Sequence, residues 1–360
     1  MMSSTFFGGR GESGDELLYT RYGNNPGQLA LAEKIAALEG AEDSLPMASG
    51  MGAMSMTLLA LTEAGSHVVA SRHLYGATRT FLERELPRRG VSTTFIEPDG
   101  AEAWRSAIRP ETRVLLLEVP TNPLLRVFDP RVAAGVARER NLPLVADVTF
   151  ASPINLRSLD HGVTLAIHSA TKYLGGHSDL IAGVVSGPSD LIASIRGVMK
   201  LYGPSIDPHA AWLLDRGIKT LEVRMERHNR NALALAEWFR EQAGVSEVIY
   251  PGLPSHPDHV VAREILRGFG GMLGVVLEGG GVGADGFCEA LELALLAPSL
   301  GGVETLVSQP RHTSHMHLPR EEREALGIRD GFVRISVGLE NIDDLAADFG
   351  QALEAARATR

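Results

Sequence analysis

The chain has 360 residues, a formal net charge of −10, 44% hydrophobic and 22% charged residues, and a single cysteine, Cys288. This length favours two domains, and the composition is typical of a globular protein with enough apolar side chains to build a core. The acidic balance argues against a nucleic-acid-binding protein, and one cysteine excludes an internal disulfide and a cysteine-based zinc site. No apolar run reaches the roughly 18–20 residues that span a bilayer, and no signal peptide is evident, so we expect a cytoplasmic protein.

The predicted elements begin with an extended, glycine- and serine-rich arm over residues 1–25. A helix is predicted over 28–40 from the spacing of its apolar residues, and another over 54–61. Short apolar segments at 114–118, 142–147 and 163–168 then alternate with an amphipathic helical segment after residue 129. This alternation predicts a parallel sheet covered by helices on both faces, and ligands of such sheets bind beyond the carboxyl ends of the strands.

The second half of the chain predicts a smaller α/β domain. One long helical stretch over 217–242 is interpreted as a connector, because the composition changes after it. Strands are predicted at 272–277 and 332–337, and helices at 287–296 and 342–356, with Asn341 as the N-cap of the last helix. We therefore predict an N-terminal arm over 1–25, a large domain over 26–223 and a small domain over 224–360.

Two segments at the predicted strand ends carry residues suited to cofactor chemistry. Lys172 follows a strand and is flanked by Ser169 and Thr171. A lysine there can form an imine while the two hydroxyls bind a phosphate, although an ordinary surface lysine has the same local pattern. Asp147 ends the preceding strand, where a carboxylate can keep a pyridine nitrogen protonated or, alternatively, serve only as a cap or turn residue.

Two further segments are compatible with a planar, phosphorylated cofactor. Gly50 and Met51 lie in a glycine-containing turn that opens a helix, where free backbone N–H groups can bind phosphate. The alternative is a simple helix start. Tyr75 lies on a tight turn, where its ring can stack on a cofactor or fill a structural role.

Together these segments resemble one family, the Cys/Met-metabolism branch of fold-type-I enzymes that use pyridoxal 5′-phosphate (PLP). The family includes cystathionine synthases and lyases, methionine γ-lyase and O-acylhomoserine sulfhydrylases. The resemblance runs from about Tyr19 to the C-terminus, and the segment HSATKYLGGHSDLIAGVV at 168–185 carries its most specific part. It implies an aspartate-aminotransferase-like α/β fold, with a large PLP-binding domain and a smaller C-terminal α/β domain.

The resemblance also implies a role for individual residues. Lys172 matches the Schiff-base lysine, Asp147 the partner of the pyridine nitrogen, and Tyr75 the stacking ring that also assists proton transfer. The implied cofactor-binding set further contains Tyr19, Arg21, Ser49, Gly50, Met51, Thr149, Ser169 and Thr171, with Tyr19 and Arg21 reaching the phosphate of a neighbouring subunit. Arg334 matches the arginine that binds the substrate carboxylate, supported by Asn122 and Ser299, and a guanidinium suits that bidentate role.

Three features depart from the family pattern, two single positions and the length of the N-terminal segment. Val148 stands where the family has asparagine after the cofactor aspartate, and Gly27 stands in place of threonine after Asn25-Pro26. The segment before Tyr19 is short, which implies that part of the usual tetramer contact is missing. We expect a homodimer with shared active sites, or a tetramer.

Within the family we expect elimination or replacement at the γ or β carbon of sulfur-containing or homoserine-derived amino acids. The segments GIKTLEVRMERH and VIYPGLPSHPDH most resemble cystathionine γ-lyases, and Glu304 is placed to receive the distal ammonium of cystathionine or is a plain turn residue. The alternatives are γ-replacement, as in cystathionine γ-synthase or O-acylhomoserine sulfhydrylase, then methionine γ-lyase, and last a non-catalytic PLP-fold binding protein. Methionine γ-lyases carry a cysteine where this chain has Ala77. We expect no metal site, since His312, His315 and His317 have the pattern of a solvated loop.

Overall fold

The computed structural model describes residues 2–3, 5–10, 17–314, 316 and 319–358. The chain divides into two compact units, each of which makes most of its contacts within itself. Unit 1 contains Met1–Val119, Phe128–Gly175 and Asp179–Lys219. Unit 2 contains Pro120–Val127, Gly176–Ser178 and Thr220–Arg360. Two short segments from the first half of the chain thus belong to unit 2, and one of them contains Asn122.

Unit 1 begins with two short strands, β1 (Thr5–Arg10) and β2 (Leu17–Tyr19), which pair antiparallel. Its main sheet has seven strands: β3 (Asp43–Met47), β4 (His67–Ser71), β5 (Ser92–Ile96), β6 (Thr112–Glu118), β7 (Leu144–Asp147), β8 (Leu165–His168) and β9 (Gly183–Gly187). Their order is β3-β9-β8-β7-β6-β4-β5. The pairs among β4 to β8 are parallel, whereas β9 runs antiparallel to both of its neighbours. The predicted parallel sheet is therefore confirmed, with one antiparallel strand that the sequence did not indicate.

Helices cover both faces of this sheet. They are α1 (Pro26–Glu39), α2 (Gly50–Leu61), α3 (Gly76–Thr80), α4 (Ala101–Ala107), α5 (Pro130–Glu139), α6 (Ser152–Asn155), α7 (Ser189–Tyr202) and α8 (Pro208–Ile218). Val185 belongs to the apolar core that contains residues of α2 and α7, and its neighbour Val184 belongs to the core that contains residues of α1 and α8. Because adjacent strand residues point to opposite faces, the two cores lie on opposite sides of the sheet.

The starts of α1 and α2 differ from the prediction, and capping explains both. The Asn25 side chain accepts a hydrogen bond from the Gly27 amide at 2.8 Å, and the Gln28 side chain accepts one from the Asn25 amide at 3.0 Å. This capping box, with proline at the first helical position, moves the start of α1 from the predicted residue 28 to Pro26. In α2 the Ser49 hydroxyl accepts a hydrogen bond from the Gly52 amide at 2.9 Å, so the predicted glycine turn is instead the first turn of the helix.

The predicted long helix over 217–242 is confirmed over most of its length, but its first residues belong to the end of a preceding helix and to a break at residues 219–220. Helix α8 ends at Ile218, and α9 (Leu221–Arg240) begins after Thr220. Gly217 explains the local packing: a Cβ there would lie 2.4 Å from the Gly175 carbonyl oxygen, so only glycine permits this close approach of α8 to the loop after Lys172.

Unit 2 contains a five-stranded sheet. Its elements after α9 are β10 (Val245–Ile249), α10 (His259–Ile265), β11 (Met272–Leu277), α11 (Gly280–Glu289), β12 (Leu295–Leu296), β13 (Leu306–Ser308), α12 (Arg320–Ala325), β14 (Phe332–Ser336) and α13 (Ile342–Ala358). The sheet order is β10-β11-β14-β13-β12. Strands β11 and β14 match the predicted strands, Cys288 is buried in the core, and the Asn341 side chain accepts a hydrogen bond from the Asp343 amide at 3.0 Å, as a helix cap does.

The helix predicted over 287–296 is wrong, since α11 ends at Glu289. The Asp348 carboxylate, on α13, accepts hydrogen bonds from three consecutive backbone amides, those of Glu292, Leu293 and Ala294, at 2.8–3.1 Å. These amides cannot also donate to helical carbonyls, so a tertiary contact overrides the local helical pattern.

Two buried histidines in unit 2 make folding stability depend on pH. The imidazole of His228, on α9, donates from Nδ1 to the Val337 carbonyl at 2.7 Å, and burial lowers its pKa to about 4. Burial likewise lowers the pKa of His256 to about 4. The unfolded chain binds a proton at each histidine near the ordinary pKa of 6.5, whereas the folded chain does so only near 4. Stability is therefore complete above about pH 6.5 and falls as the pH drops from there towards 4.

We expect the free energy of unfolding to fall by about 3 kcal/mol for each of these histidines between pH 7 and pH 4. Urea unfolding measured across this range checks the slope. His228→Asn should flatten the slope while lowering stability at pH 7. His177→Asn, which changes an exposed side chain of unit 2, should keep the wild-type slope. If His228→Asn also keeps the full slope, His228 does not contribute to the acid sensitivity.

Candidate active site

Three polar residues end three neighbouring parallel strands of unit 1. Glu118 is the last residue of β6, Asp147 of β7 and His168 of β8. The carboxyl ends of parallel strands share one edge of the sheet, so these side chains and the loop that starts at Ser169 belong to the same edge. The structure thus brings the predicted residues Asp147, Ser169 and Lys172 together.

Thr149 links Asp147 to the loop that carries Lys172. The Thr149 amide and hydroxyl donate to the Asp147 carboxylate at 3.0 and 2.6 Å. The same hydroxyl accepts a hydrogen bond from the Ser169 amide at 2.8 Å. Thr149, predicted as a cofactor-binding residue, therefore uses its hydroxyl to join the carboxylate to the Ser169 loop.

The electrostatic setting of Asp147 favours a cationic partner. Burial raises the pKa of the Asp147 carboxyl, while the two hydrogen bonds from Thr149 and the electrostatic effect of His168 lower it. A carboxylate in such a place gains strongly from a cation brought against it, as a protonated pyridine nitrogen would be.

The start of α2 at Gly50 and the Ser169 loop lie against each other, and we call this contact the Gly50 cradle. A Cβ on Gly50 would lie 2.8 Å from the Ser169 Cβ and 3.0 Å from its Oγ, so glycine is needed at this contact. The Gly50 and Met51 amides precede the intrahelical bonds, while Ser49 caps the helix through the Gly52 amide. Backbone amides at a helix start, next to a serine hydroxyl, have the donor chemistry of a phosphate site. The Met51 sulfur lies 3.7 Å from the Thr78 hydroxyl, within unit 1.

The Thr171 hydroxyl, predicted to bind phosphate, is hydrogen-bonded to the backbone of Ala182. It donates to the Ala182 carbonyl at 3.2 Å and accepts from the Ala182 amide at 3.0 Å. To donate to a phosphate, as predicted, Thr171 would have to give up the bond to the carbonyl.

Lys172 differs from the other lysines in its position relative to the sheet of unit 1. The sequence contains four lysines. Lys34 forms an ion pair with Asp215, and Lys219 lies 3.7 Å from the same carboxylate. The Lys200 ammonium lies 5.1 Å from the centre of the Tyr22 ring. Lys172 is therefore the one lysine in the sequence that follows the strand end next to Asp147.

Tyr75 is held by a residue that the sequence analysis did not assign to the site. The Tyr75 amide donates to the Glu118 carboxylate at 2.5 Å, and Glu118 is only 5% exposed. The Tyr75 side chain itself is 44% exposed, which leaves its ring accessible to a planar ligand. The signal for Glu118 was present, since an acidic residue ends a strand that is otherwise apolar.

Tyr19 and Arg21 lie in a surface cluster on unit 1. The Arg21 guanidinium lies 5.5 Å from the Tyr19 ring centre and 5.0 Å from that of Tyr22, and it donates to the Lys200 carbonyl at 2.5 Å. Stacking on two rings keeps a guanidinium oriented while leaving it exposed. Both predicted arm residues are accordingly placed at the surface and close to each other.

In unit 2, Arg334 is oriented by the two residues predicted to support it. Its Nη1 donates to the Asn122 side-chain oxygen at 3.0 Å, and its Nη2 donates to the Ser299 carbonyl at 3.0 Å. Ser299 adopts a φ of 90°, a left-handed conformation that is strained for a non-glycine residue. Ser299 therefore supports Arg334 through its backbone. Arg334 is 7% exposed, so its guanidinium is held in one orientation.

Glu304 also has a defined partner in unit 2. Its carboxylate accepts a hydrogen bond from the Ser178 hydroxyl, and a Cβ on Gly302 would lie 2.5 Å from the Glu304 Oε1. The carboxylate is thus held against two loops of unit 2. The contact with Ser178 is a tertiary one, which the sequence did not indicate.

No cluster of three or more metal-ligating side chains occurs among the described residues. Of the three histidines considered above, His315 and His317 lie outside the described residues. In the described part of the chain, no helix has the length and apolar character to cross a membrane.

The model of the family described as Cys/Met metabolism PLP-dependent enzyme matches residues 1–354. The chain belongs to this family. The predicted resemblance and the cofactor, PLP, are thereby confirmed. The chain is 43% identical over 339 residues to cystathionine gamma-synthase 1, chloroplastic, of Arabidopsis thaliana, covering 94% of this chain and 60% of that protein. It is 42% identical over 340 residues to L-methionine gamma-lyase of Fusobacterium nucleatum, covering 94% of this chain and 86% of that protein.

A solved structure confirms the predicted fold-type-I architecture. The crystal structure of cystathionine gamma-lyase from Lactobacillus plantarum complexed with L-serine aligns with a TM-score of 0.92 at 34% identity, covering 99% of this chain and 93% of that one. Val148, one of the departures from the family pattern, is fully buried, and its amide donates to the Ile167 carbonyl at 2.9 Å. An apolar residue there fills the core next to Asp147 and keeps the bond between the two strands.

The residues of unit 1 fit PLP. The absence of a Cβ on Gly50 allows Ser169 to lie close to the start of α2, and the amides beside Gly50 suit an anion. A carboxylate oriented by Thr149 suits the protonated ring nitrogen, and the accessible Tyr75 ring suits a planar face.

Proposed function

We propose that the chain catalyses elimination at the γ carbon of cystathionine, in the manner of a cystathionine γ-lyase, to give cysteine, 2-oxobutyrate and ammonia. The hydrogen-bonded Asp147–Thr149–Ser169 network is the observation that supports this kind of chemistry, because it joins a buried carboxylate to the loop that carries Lys172. When bound, PLP supplies an electron sink that stabilises negative charge on the α carbon of an amino acid.

Each proposed residue has one task. The Lys172 amine holds the cofactor, takes the proton from the α carbon and delivers it again. Asp147 keeps the pyridine nitrogen protonated. Tyr75 stacks on the ring and exchanges protons with the leaving group, and Arg334 binds the α-carboxylate with Asn122 and Ser299 holding its guanidinium.

The choice of cystathionine rests on Glu304. A carboxylate oriented by Ser178 can accept the distal ammonium of cystathionine, a contact that methionine and O-acylhomoserines do not offer. The second candidate is γ-replacement, which is favoured by the 43% identity to a cystathionine gamma-synthase.

A substrate panel read by mass spectrometry tests the proposal. We expect cystathionine to be cleaved more efficiently than methionine, and faster than O-acetylhomoserine reacts with an added thiol. Glu304→Ala should lower kcat/KM for cystathionine by about tenfold or more, since charge-assisted hydrogen bonds contribute roughly 1.5–3 kcal/mol. The same variant should leave the reaction of O-acetylhomoserine nearly unchanged.

Ser178→Ala is the matched control, because it removes the donor to Glu304 but leaves the carboxylate in place. It should reduce cystathionine cleavage much less than Glu304→Ala does. If cystathionine is inert while O-acylhomoserine and a thiol react fast, the chain is a replacement enzyme and the lyase proposal is wrong.

We further propose that the enzyme assembles at least as a dimer in which Tyr19 and Arg21 complete the phosphate site of the neighbouring subunit. Their exposed position on unit 1 supports this proposal, since an accessible guanidinium can reach a ligand outside its own chain. Arg21→Ala and Lys172→Ala should each be inactive alone. Hybrid oligomers of the two should regain part of the activity, because one of the mixed sites carries neither change. Verified hybrids without activity would contradict the shared site.

A further inference from the structure

A fully buried acid–histidine pair lies directly behind the proposed cofactor residues. The carboxylate of Glu39, the last residue of α1, bonds to Nε2 of His168, the last residue of β8, and both side chains are 0% exposed. None of the tasks proposed above uses either residue.

The pair is poorly suited to a purely stabilising role. Glu39 Oε2 and His168 Nδ1 are both buried, and neither has a hydrogen-bond partner among the described residues. A buried acid–histidine pair whose remaining polar atoms are unsatisfied contributes little net stability, and well-packed apolar residues are often at least as stable in such places.

Its location connects it to the cofactor residues on both sides of His168. The Ile167 carbonyl, just before His168, accepts a hydrogen bond from the Val148 amide at 2.9 Å. The Ser169 amide, just after it, donates to the Thr149 hydroxyl at 2.8 Å. His168 is therefore bracketed by two bonds to the segment that follows Asp147.

The pair also acts on Asp147 through charge. His168 lowers the pKa of the Asp147 carboxyl, opposing the larger effect of burial, which raises it. The electrostatic effect of His168 thus favours the ionised carboxylate that a protonated pyridine nitrogen requires.

We propose that Glu39 and His168 are positioning residues for PLP: Glu39 orients the imidazole of His168, and His168 holds the Asp147 carboxylate and the Ser169 loop in the arrangement that binds the cofactor. The inference rests on the proposed assignment of Asp147 and Ser169 to PLP. The inference requires the polar groups of Glu39 and His168, because apolar side chains of similar size would fill the same space without the bond between them.

Equilibrium dialysis of the PLP-loaded protein, combined with its visible absorption band and its thermal unfolding midpoint, tests this inference. Glu39→Gln should weaken PLP binding about tenfold or more, as changes to the partners of ligand-holding groups commonly do, and should shift the cofactor band. The double variant Glu39→Met with His168→Leu should unfold near the wild-type temperature yet bind PLP as weakly as Glu39→Gln.

His67→Asn provides the matched control. His67 is a buried histidine at the opposite end of the same sheet, where its ring bonds to Thr112 and Thr94 at 2.8 and 2.9 Å. Its replacement should lower the unfolding temperature and leave PLP affinity and the cofactor band unchanged.

Recovery of both stability and PLP affinity in the double variant would overturn the inference and leave the pair a packing element. If the double variant does not fold, Glu39→Gln decides: PLP affinity no weaker than that of His67→Asn overturns the inference. The site assignment is checked in parallel by borohydride labelling of the wild type. A label away from Lys172 contradicts that assignment, whereas a label on Lys172 with unchanged PLP affinity in Glu39→Gln contradicts only the role of the pair.

Discussion

Lys172→Ala is expected to reduce turnover of every amino-acid substrate by about 10³-fold or more, because the same amine holds the cofactor and moves the α-proton. Steady-state assays with cystathionine and with O-acetylhomoserine check this result. The loss should fall on kcat for both substrates, since the step that removes the α-proton is common to both reactions.

The same variant should still bind PLP noncovalently. The Gly50 cradle, Ser169 and Asp147 remain in place when the Lys172 side chain is shortened, so a dissociation constant for PLP should be measurable. Lys219→Ala is the control, because this lysine lies on the surface near Asp215. It should keep near wild-type turnover. Full activity in Lys172→Ala would mean that another group removes the α-proton.

Arg334→Lys is expected to lower kcat/KM by about a hundredfold, chiefly through a higher KM, since a lysine cannot reproduce the fork geometry of a guanidinium. In the structure one guanidinium nitrogen donates to Asn122 and another to the Ser299 carbonyl. A lysine ammonium can satisfy neither the same pair of acceptors nor a carboxylate in a bidentate manner.

PLP affinity and the labelling of Lys172 should be unchanged in Arg334→Lys. In the proposed scheme Arg334, a residue of unit 2, binds the substrate and not the cofactor. Arg329→Lys is the matched control: Arg329 lies on the surface of the same unit and pairs with Glu247 at 3.0 Å. It should keep the wild-type KM. An unchanged KM in Arg334→Lys would show that the substrate carboxylate is bound elsewhere.

The sheet of unit 1 could be predicted where the sequence has runs of buried apolar residues. Strands β6, β7 and β8 are such runs, and their polar last residues indicated the edge at which a ligand binds. Strand β9 was missed, because its antiparallel direction depends on pairing with β3 and β8 and has no local signature.

The remaining errors have one tertiary and one local cause. The Asp348 carboxylate accepts hydrogen bonds from three amides within the helix predicted over 287–296, a contact between distant segments that has no local signature. The starts of two helices differ for a local reason, because Asn25 and Ser49 cap amides only two or three residues further along the chain.

In the candidate site, too, the sequence predicts the residues but not the hydrogen bonds between them. The motif around Lys172 supplied the residues and their proposed roles through family resemblance. The bonds among them lie beyond the motif: Thr149 joins Asp147 to Ser169, Glu118 holds the Tyr75 amide, and Ser178 holds Glu304. Each of these bonds pairs residues whose relation depends on the fold.

The most direct test of the proposed site is to reduce the PLP-loaded protein with borohydride and to identify the modified peptide by mass spectrometry. With only four lysines in the sequence, each can be assigned separately. We expect one phosphopyridoxyl group per chain, on Lys172, and none in Lys172→Ala. A label on Lys34, Lys200 or Lys219, with Lys172 unmodified, would contradict it.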